Sequence, residues 1–324
     1  MASDHDIEAA IGLLGQVRSE IGRVIFGQDR VVDETLTAIL SGGHALLIGL
    51  PGLAKTRLAE TLGAVLGLDQ GRVQFTPDLM PSDILGSEVL EEGTGGRQAF
   101  RFVKGPIFTR ILLADEINRA SPRTQSALLQ AMQEHRVTVA GQTYDLPLPF
   151  HVIATQNPIE HEGTYPLPEA QLDRFLLQID IGYPDLDAER RMLFATTTDR
   201  ADRVRPVLGR EQVAGLQELV RRMPIGEGLV DALLKLVREG RPGTSTLPAV
   251  REHVAWGPGP RASQALMLAV RARALLHGRL APSAEDLAAL APAVLRHRMA
   301  VSFRARTEGV TVEHVIEALV RHAC

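Results

Sequence analysis

Cysteine is almost absent from these 324 residues: Cys324 is the only one and also the last residue, so no internal disulfide can form. That scarcity argues against a disulfide-stapled extracellular fold, and a reducing cytoplasm is the expected home. No apolar run approaches the roughly 18 residues that a membrane-spanning helix needs. The start, Met1-Ala2-Ser3-Asp4-His5-Asp6, is acidic where a secretory signal would be basic. Neither a membrane span nor a leader is expected. Aromatic residues make up 4%, which removes the stacking platforms of a general nucleic-acid binder. Lysine is rare as well, with Lys55, Lys104 and Lys235 the only 3 among 35 basic residues. No cysteine cluster has zinc spacing, the 10 histidines are scattered, and no glycosidase-type carboxylate pair can be assigned.

What is present is an ordinary soluble composition, 45% hydrophobic and 23% charged, in a chain long enough for two domains. The net charge of −4 is unevenly spread. Residues 1–183 hold 14 Lys+Arg against 23 Asp+Glu (−9), and residues 184–324 hold 21 against 16 (+5), which sum to −4. Halves of opposite sign suit a head-to-tail assembly. The acidic first half gives no support to nucleic-acid binding.

The chain is organised around Gly49-Leu50-Pro51-Gly52-Leu53-Ala54-Lys55-Thr56. It follows the apolar run Ala45-Leu46-Leu47-Ile48 and opens a helical segment over 56–66. Strand, glycine-rich turn and helix in that order make a phosphate-binding loop. Its consecutive N–H groups form a nest for anionic oxygens, and the helix N-terminus adds partial positive charge. Lys55 would reach the β- and γ-phosphates, the Thr56 hydroxyl would ligate Mg²⁺, and Arg57 lies next to them. Ala54 stands where the usual pattern has a glycine, one methyl away from the strict motif. The spacing predicts a nucleoside triphosphate site.

Upstream, Ile7, Ile11, Leu14, Val17 and Ile21 form a helical stripe, and Val24-Ile25-Phe26-Gly27-Gln28 precedes a second helix over 30–40. Ile25 and Gly27 are candidates to wall the base; plain core packing explains Ile25 and Phe26 equally well. Downstream, 72–76 reads as a strand, 77–86 as a loop around a short helix, and 88–103 as a hairpin turning at Gly93-Thr94-Gly95-Gly96. Ile111-Leu112-Leu113-Ala114 is a buried parallel strand ending in Asp115-Glu116. There Asp115 would hold Mg²⁺ through water and Glu116 would polarise the attacking water. Asn118 and Arg119 follow within reach. A helix over 121–135, capped by Ser121 with Pro122 at its first position, leads to a second hairpin turning at Ala140-Gly141-Gln142.

The next strand, His151-Val152-Ile153-Ala154-Thr155-Gln156, ends at Asn157. That residue either orients the attacking water or touches the γ-phosphate, or else merely forms an Asn-Pro turn. Asp173-Arg174-Phe175 enters a strand over 175–181, and 182–184 is the candidate boundary. Beyond it every pattern is helical, over about 187–197, 210–222, 228–239, 260–277, 284–296 and 311–322, with no competing strand signal. Arg261 opens one of these helices, where a cation is disfavoured unless an anion lies opposite. It is therefore a candidate γ-phosphate contact.

Taken together, these elements resemble the AAA+ ATPases, and the finer text is similar to the MoxR family. The phrases that carry the likeness are GLPGLAKT, FTPDLMPSDILG, LLADEINRASPRTQSALLQAMQEHRVTV, IATQNPIEHEGTYPLPEAQLDRF and VLRHRM. The likeness covers nearly the whole chain and is most specific over 112–175. It implies an α/β fold: an AAA+ domain over 1–183, with a central parallel sheet between helices, and a smaller all-helical lid over 184–324. It makes Lys55 and Thr56 the Walker A pair, Asp115 and Glu116 the Walker B pair, and Asn157 sensor 1. Arg174 becomes an arginine finger reaching a neighbouring subunit, and Arg261 becomes sensor 2 on a closing lid. The hairpins near 86–103 and 136–144 match the helix-2 and pre-sensor-1 inserts. The sequence GPGPRA around Arg261 has Gly259 where the family more often has a small or hydroxyl residue.

The activity implied is ATP hydrolysis with Mg²⁺ in a homo-oligomeric ring, expected to be a hexamer. Such a ring would remodel, mature or insert metal into protein clients, with a von Willebrand A domain partner. Three other readings stand beside it: a magnesium-chelatase-like motor subunit, a nucleotide-gated scaffold with incidental hydrolysis, and a nucleic-acid motor, which the acidic first domain disfavours.

Overall fold

The structure is a computed structural model and describes residues 4–92, 98–159, 163–196 and 204–324. Two helices come first, α1 (Asp4–Gly22) and α2 (Asp29–Leu40), and of the stripe read from its sequence α1 buries Ile7, Leu14, Val17 and Ile21, with Ile11 half-buried. Then β1 (Ala45–Gly49) runs into α3 (Lys55–Val65), followed by β2 (Gln70–Gln74) and the short α4 (Pro81–Leu85). The hairpin β3 (Gly86–Glu92) and β4 (Gln98–Lys104) precedes β5 (Ile111–Asp115). Its expected turn at 93–96 lies outside the described residues. After α5 (Pro122–Glu134) come the hairpin β6 (Arg136–Val139) and β7 (Gln142–Asp145), then β8 (His151–Gln156), α6 (Glu169–Leu172) and β9 (Leu177–Ile181). The hairpins meet where Phe102 stacks on Tyr144, ring centroids 4.1 Å apart.

The central sheet has the order β2-β5-β8-β1-β9, and every neighbour is parallel. Alternate residues part to opposite faces, as a pleated strand requires. Ala45, Leu47, Ile111, Leu113, Ile153 and Ile179 go to one core, and Leu46, Leu112, Ala114, Val152 and Ala154 go to the other. The second core is closed by α5. The first contains α1, α2 and α3 and continues without a break into the later helices.

Those helices are α7 (Leu186–Thr196), α8 (Arg210–Arg222), α9 (Glu227–Glu239), α10 (Pro248–His253), α11 (Pro260–Leu276), α12 (Ala284–Leu295), α13 (Phe303–Thr307) and α14 (Val312–Ala323). Among the described residues the helical lid carries elements that no periodicity announced: the short helices α10 and α13, and an antiparallel pair of β10 (Val254–Trp256) and β11 (Ala300–Val301). Strands of three and two residues are too short to show a period. Two expected strands begin elsewhere: β2 starts at Gln70, and β9 starts at Leu177 instead of residue 175. The cause at β9 is visible. The Phe175 carbonyl is taken by Arg298 and the His297 ring, not by a ladder partner.

Two buried histidines fasten the amino end of the sheet. His44 Nδ1 accepts from the Val152 N–H at 2.9 Å and its Nε2 donates to the Met132 carbonyl at 3.2 Å. His151 Nδ1 donates to the Gly43 carbonyl at 2.8 Å, and its Nε2 accepts from Gln217 of α8 at 2.9 Å. Each ring is thus neutral, with both nitrogens used. Burial depresses His44 to about 3 and His151 to about 4. The unfolded chain therefore binds more protons below the ordinary histidine range, and stability is lost as the pH falls through that range towards 4. Each histidine contributes a slope on the order of 1.4 kcal/mol per pH unit between its unfolded and folded values. Denaturant unfolding between pH 7 and pH 5 should show His151→Gln with a shallower pH slope than the parent; equal slopes would contradict the assignment.

Candidate functional site

The loop between β1 and α3 takes the backbone that a phosphate nest needs. Gly52 has φ +82° with open space where a Cβ would stand, and Ala54 sits in the left-handed region at φ +57°. An alanine there costs on the order of 1 kcal/mol relative to glycine, and its methyl is exposed rather than pressed into the loop. The missing glycine changes strain, not shape. Lys55 Nζ donates to the carbonyls of Gly49 and Leu50, the latter at 3.1 Å, which draws the ammonium over the loop.

Beside the loop, a cavity of about 260 Å³ is lined by Ile25, Phe26, Pro51, Leu53 and Arg57, together with Tyr183 and Pro184. Ile25 belongs to the core and also lines this cavity. Gly27 serves packing instead. At φ +65° it lies so close to Ala188 that no Cβ fits.

Parallel pairing brings the remaining polar groups to the same edge. β8 lies between β5 and β1, so Asp115, Glu116 and Asn157 all emerge at the carboxyl ends of adjacent strands. Asp115 is buried and fully engaged. Thr155 Oγ1 donates to its Oδ1 at 2.6 Å, and Arg72 donates to its Oδ2 at 2.9 Å. Thr56 Oγ1 lies 3.5 Å from Asp115 Oδ2, so two hard oxygens converge beside the loop, a donor set suited to Mg²⁺. Glu116 occupies the left-handed region at φ +55°, a rare conformation for a non-glycine residue. Its N–H donates to Thr155 Oγ1 at 2.9 Å, and its carboxylate accepts from Gln74 at 2.8 Å and Arg119 at 3.0 Å. Asn157 is buried, and its Oδ1 accepts from the Ile159 N–H at 3.2 Å, the local contact of an Asn-Pro turn. Asn118 also lies here, its buried Oδ1 without a partner among the described residues.

Three residues that hold this edge carry no motif: Arg72, Gln74 and Thr155. Thr155 was present in the strand ending at Asn157, but only the register reveals that one hydroxyl serves both acidic residues.

Arg174 and Arg261 are not brought to this edge. They line a second cavity, about 280 Å³, with Gly42, Gly43 and His44, which precede β1 at its amino end. The loop leaves β1 at its carboxyl end, about 15 Å away along a five-residue strand. Arg261 Nη1 lies 3.6 Å from Asp173, and Arg298 also lines the cavity. The expectation that Arg261 closes over its own subunit's loop is therefore corrected. The lid helices α11 and α12 pack against α2 and β9, while α7, ahead of them, brings Glu189 and Met192 to the cavity beside the loop.

Known proteins match this arrangement. The model of the ATPase family associated with various cellular activities matches residues 44–177, and that of the AAA lid domain matches residues 248–319. Chaperone MoxR1 of Mycobacterium tuberculosis is 41% identical over 99% of this chain and 82% of its own length. Protein MoxR of Methylorubrum extorquens is 33% identical over 86% of this chain and 85% of its own. A crystal structure of a Cytophaga hutchinsonii protein superposes with a TM-score of 0.90 at 36% identity, covering 98% of this chain and 96% of that one.

Replacing Thr155 by valine keeps the shape but removes the hydroxyl shared by Asp115 and Glu116. Steady-state ATPase assays should show kcat lowered about tenfold or more, since a shared orienting hydrogen bond of about 1–2 kcal/mol is lost. Nucleotide affinity should stay close to that of the parent. Undiminished turnover would remove Thr155 from the site.

Proposed function

The chain belongs to the MoxR family of AAA+ ATPases, and from that membership we propose a division of labour between subunits. Each subunit binds and hydrolyses ATP at its own loop with Mg²⁺, and its neighbour supplies Arg174 and Arg261. The working form is a ring, and its turnover drives chaperone-like remodelling of a protein client in the cytoplasm. A von Willebrand A domain protein is the expected partner.

The observation that carries this reading is the separation of the two arginines from the loop of their own chain. With Arg174 and Arg261 at the amino end of β1 and Lys55 at the carboxyl end, two incomplete half-sites lie at opposite ends of one strand. A head-to-tail contact between copies would bring the halves together. The uneven charge of the two halves is consistent with such a contact.

The chemistry then follows from position and charge. Thr56 and Asp115 would hold Mg²⁺, which supplies positive charge to the β- and γ-oxygens when bound. Lys55 adds a second charge from the loop side. Glu116, fixed by its strained backbone and by Gln74 and Arg119, aligns the attacking water and takes its proton. Asn157 borders the same space. Arg174 of the neighbour meets the charge that builds as the bond to the leaving oxygen breaks, a contribution on the order of a thousandfold or more. The hairpin of β3 and β4, with Leu90 and Phe100 exposed, is the surface we assign to the client.

ATPase rate measured against protein concentration, with sizing in ATP and in ADP, tests the proposal. Rate per subunit should rise with assembly. In Arg174→Ala it should fall about a thousandfold while ATP still binds. A flat rate that ignores Arg174 would overturn the shared site and favour a scaffold in which hydrolysis is incidental.

A further inference from the structure

One part of the VLRHRM phrase has no role so far. Arg298 follows α12, is 3% exposed, and points from the lid into the segment that carries Arg174. Its guanidinium has five N–H groups, and every one finds an acceptor. Nε donates to Asp173 Oδ1 at 2.8 Å. Nη1 donates to the carbonyls of Leu176 at 3.0 Å and Val294 at 2.7 Å. Nη2 donates to the carbonyls of Asp173 at 3.3 Å and Phe175 at 2.7 Å. Four of the five bonds fall on residues 173, 175 and 176. Residue 174 alone is passed over, and its side chain lines the cavity.

The neighbouring contacts tighten the same segment. His297 Nε2 donates to the Phe175 carbonyl at 3.1 Å, and the Leu176 N–H donates to the His44 carbonyl at 2.8 Å. The Phe175 ring is fully buried in the core that α5 closes. Asp173 is shared, since Arg261 approaches its other carboxylate oxygen at 3.6 Å. Three lid residues (Arg261, His297 and Arg298) therefore grip the chain on both sides of Arg174.

We propose that Arg298 is the positioning residue for the arginine finger, fixing where Arg174 points and tying that direction to the lid. The proposal rests on the shared-site reading above. Its physical basis is the planar fork of the guanidinium, which meets several carbonyls at once; a lysine offers a point charge and three donors on a flexible stem. Arg298→Lys keeps the charge and loses the geometry. A reacting group displaced by about 1 Å can cost about a hundredfold in rate.

A buried ion pair serving stability alone would give the same contacts, so the test needs a readout that stability does not move. Arg298→Lys, Asp173→Ala and Arg174→Ala are each assayed alone and then mixed with an excess of Glu116→Gln. That last variant cannot align water at its own site but presents an intact finger. Alone, Arg298→Lys should lose about a hundredfold in kcat while KM for ATP changes less than about twofold. In the mixture its sites should regain turnover, because neighbours now bring well-placed fingers. Asp173→Ala, at a partly exposed position, should follow the same pattern and covers the case in which Arg298→Lys folds poorly.

Full rate in Arg298→Lys alone, or a loss that mixing fails to restore, overturns the role of Arg298. If Arg174→Ala itself keeps full rate, the finger is absent and the shared-site reading falls with this one. If Arg174→Ala is lost and restored while Arg298→Lys is unaffected, only the positioning role falls.

Discussion

The fold depends on β8 staying wedged between β1 and β5. Its ladder aligns Ala114 with Ala154 on one side and Ile48 with Gln156 on the other. All three strands run the same way, so the phosphate loop, the acidic pair and Asn157 leave the sheet together. A slip of one residue would exchange the faces of β8, putting Ile153 where Ala154 belongs. It would also move Thr155 away from Asp115 and Glu116. Burial on both faces makes that slip costly, which is how a hydrophobic ladder comes to hold polar groups to within hydrogen-bonding tolerance.

What could be read in advance followed the range of the signal. The loop from Gly49 to Thr56 and the pair Asp115-Glu116 are local, each made of a strand, its end and the residues next to it. The strands themselves, apolar and short between turn residues, were equally local. Arg72, Gln74 and Thr155 were not legible as site residues, because an arginine or threonine on a strand gains its meaning from the partner across the ladder. Arg298 lay in plain view within a familiar phrase, but its five acceptors come from residues 173–176 and from α12. Nothing in the sequence around α11 or α12 says which surface those helices cover, and so the place of Arg261 beside Asp173 was not legible.

The position of the lid changes what kind of body the subunit is. One continuous core runs from the sheet through α1 and α2 into α11, α12 and α14, and Arg296 bridges to Asp180 of β9 across the same junction. Opening that junction would expose apolar surface, at about 25 cal/mol for each Å². A motion of the lid about its own subunit's nucleotide is thus poorly served by this packing. Small adjustments around Asp173, where lid and sheet share a carboxylate, expose far less.

The single strand separating Lys55 from Arg174 also gives the molecule a direction. One end offers a loop, the other offers arginines, and neither end can mate with its own kind. Copies joined by such unlike ends form a row with a head and a tail, and only closure on itself removes the two unmatched ends. If the proposed shared site holds, a defect in the loop would disable the copy that carries it, whereas a defect in the arginines would disable the copy next door. The two kinds of lesion would therefore appear one place apart, and that offset would show which way round the row a signal travels.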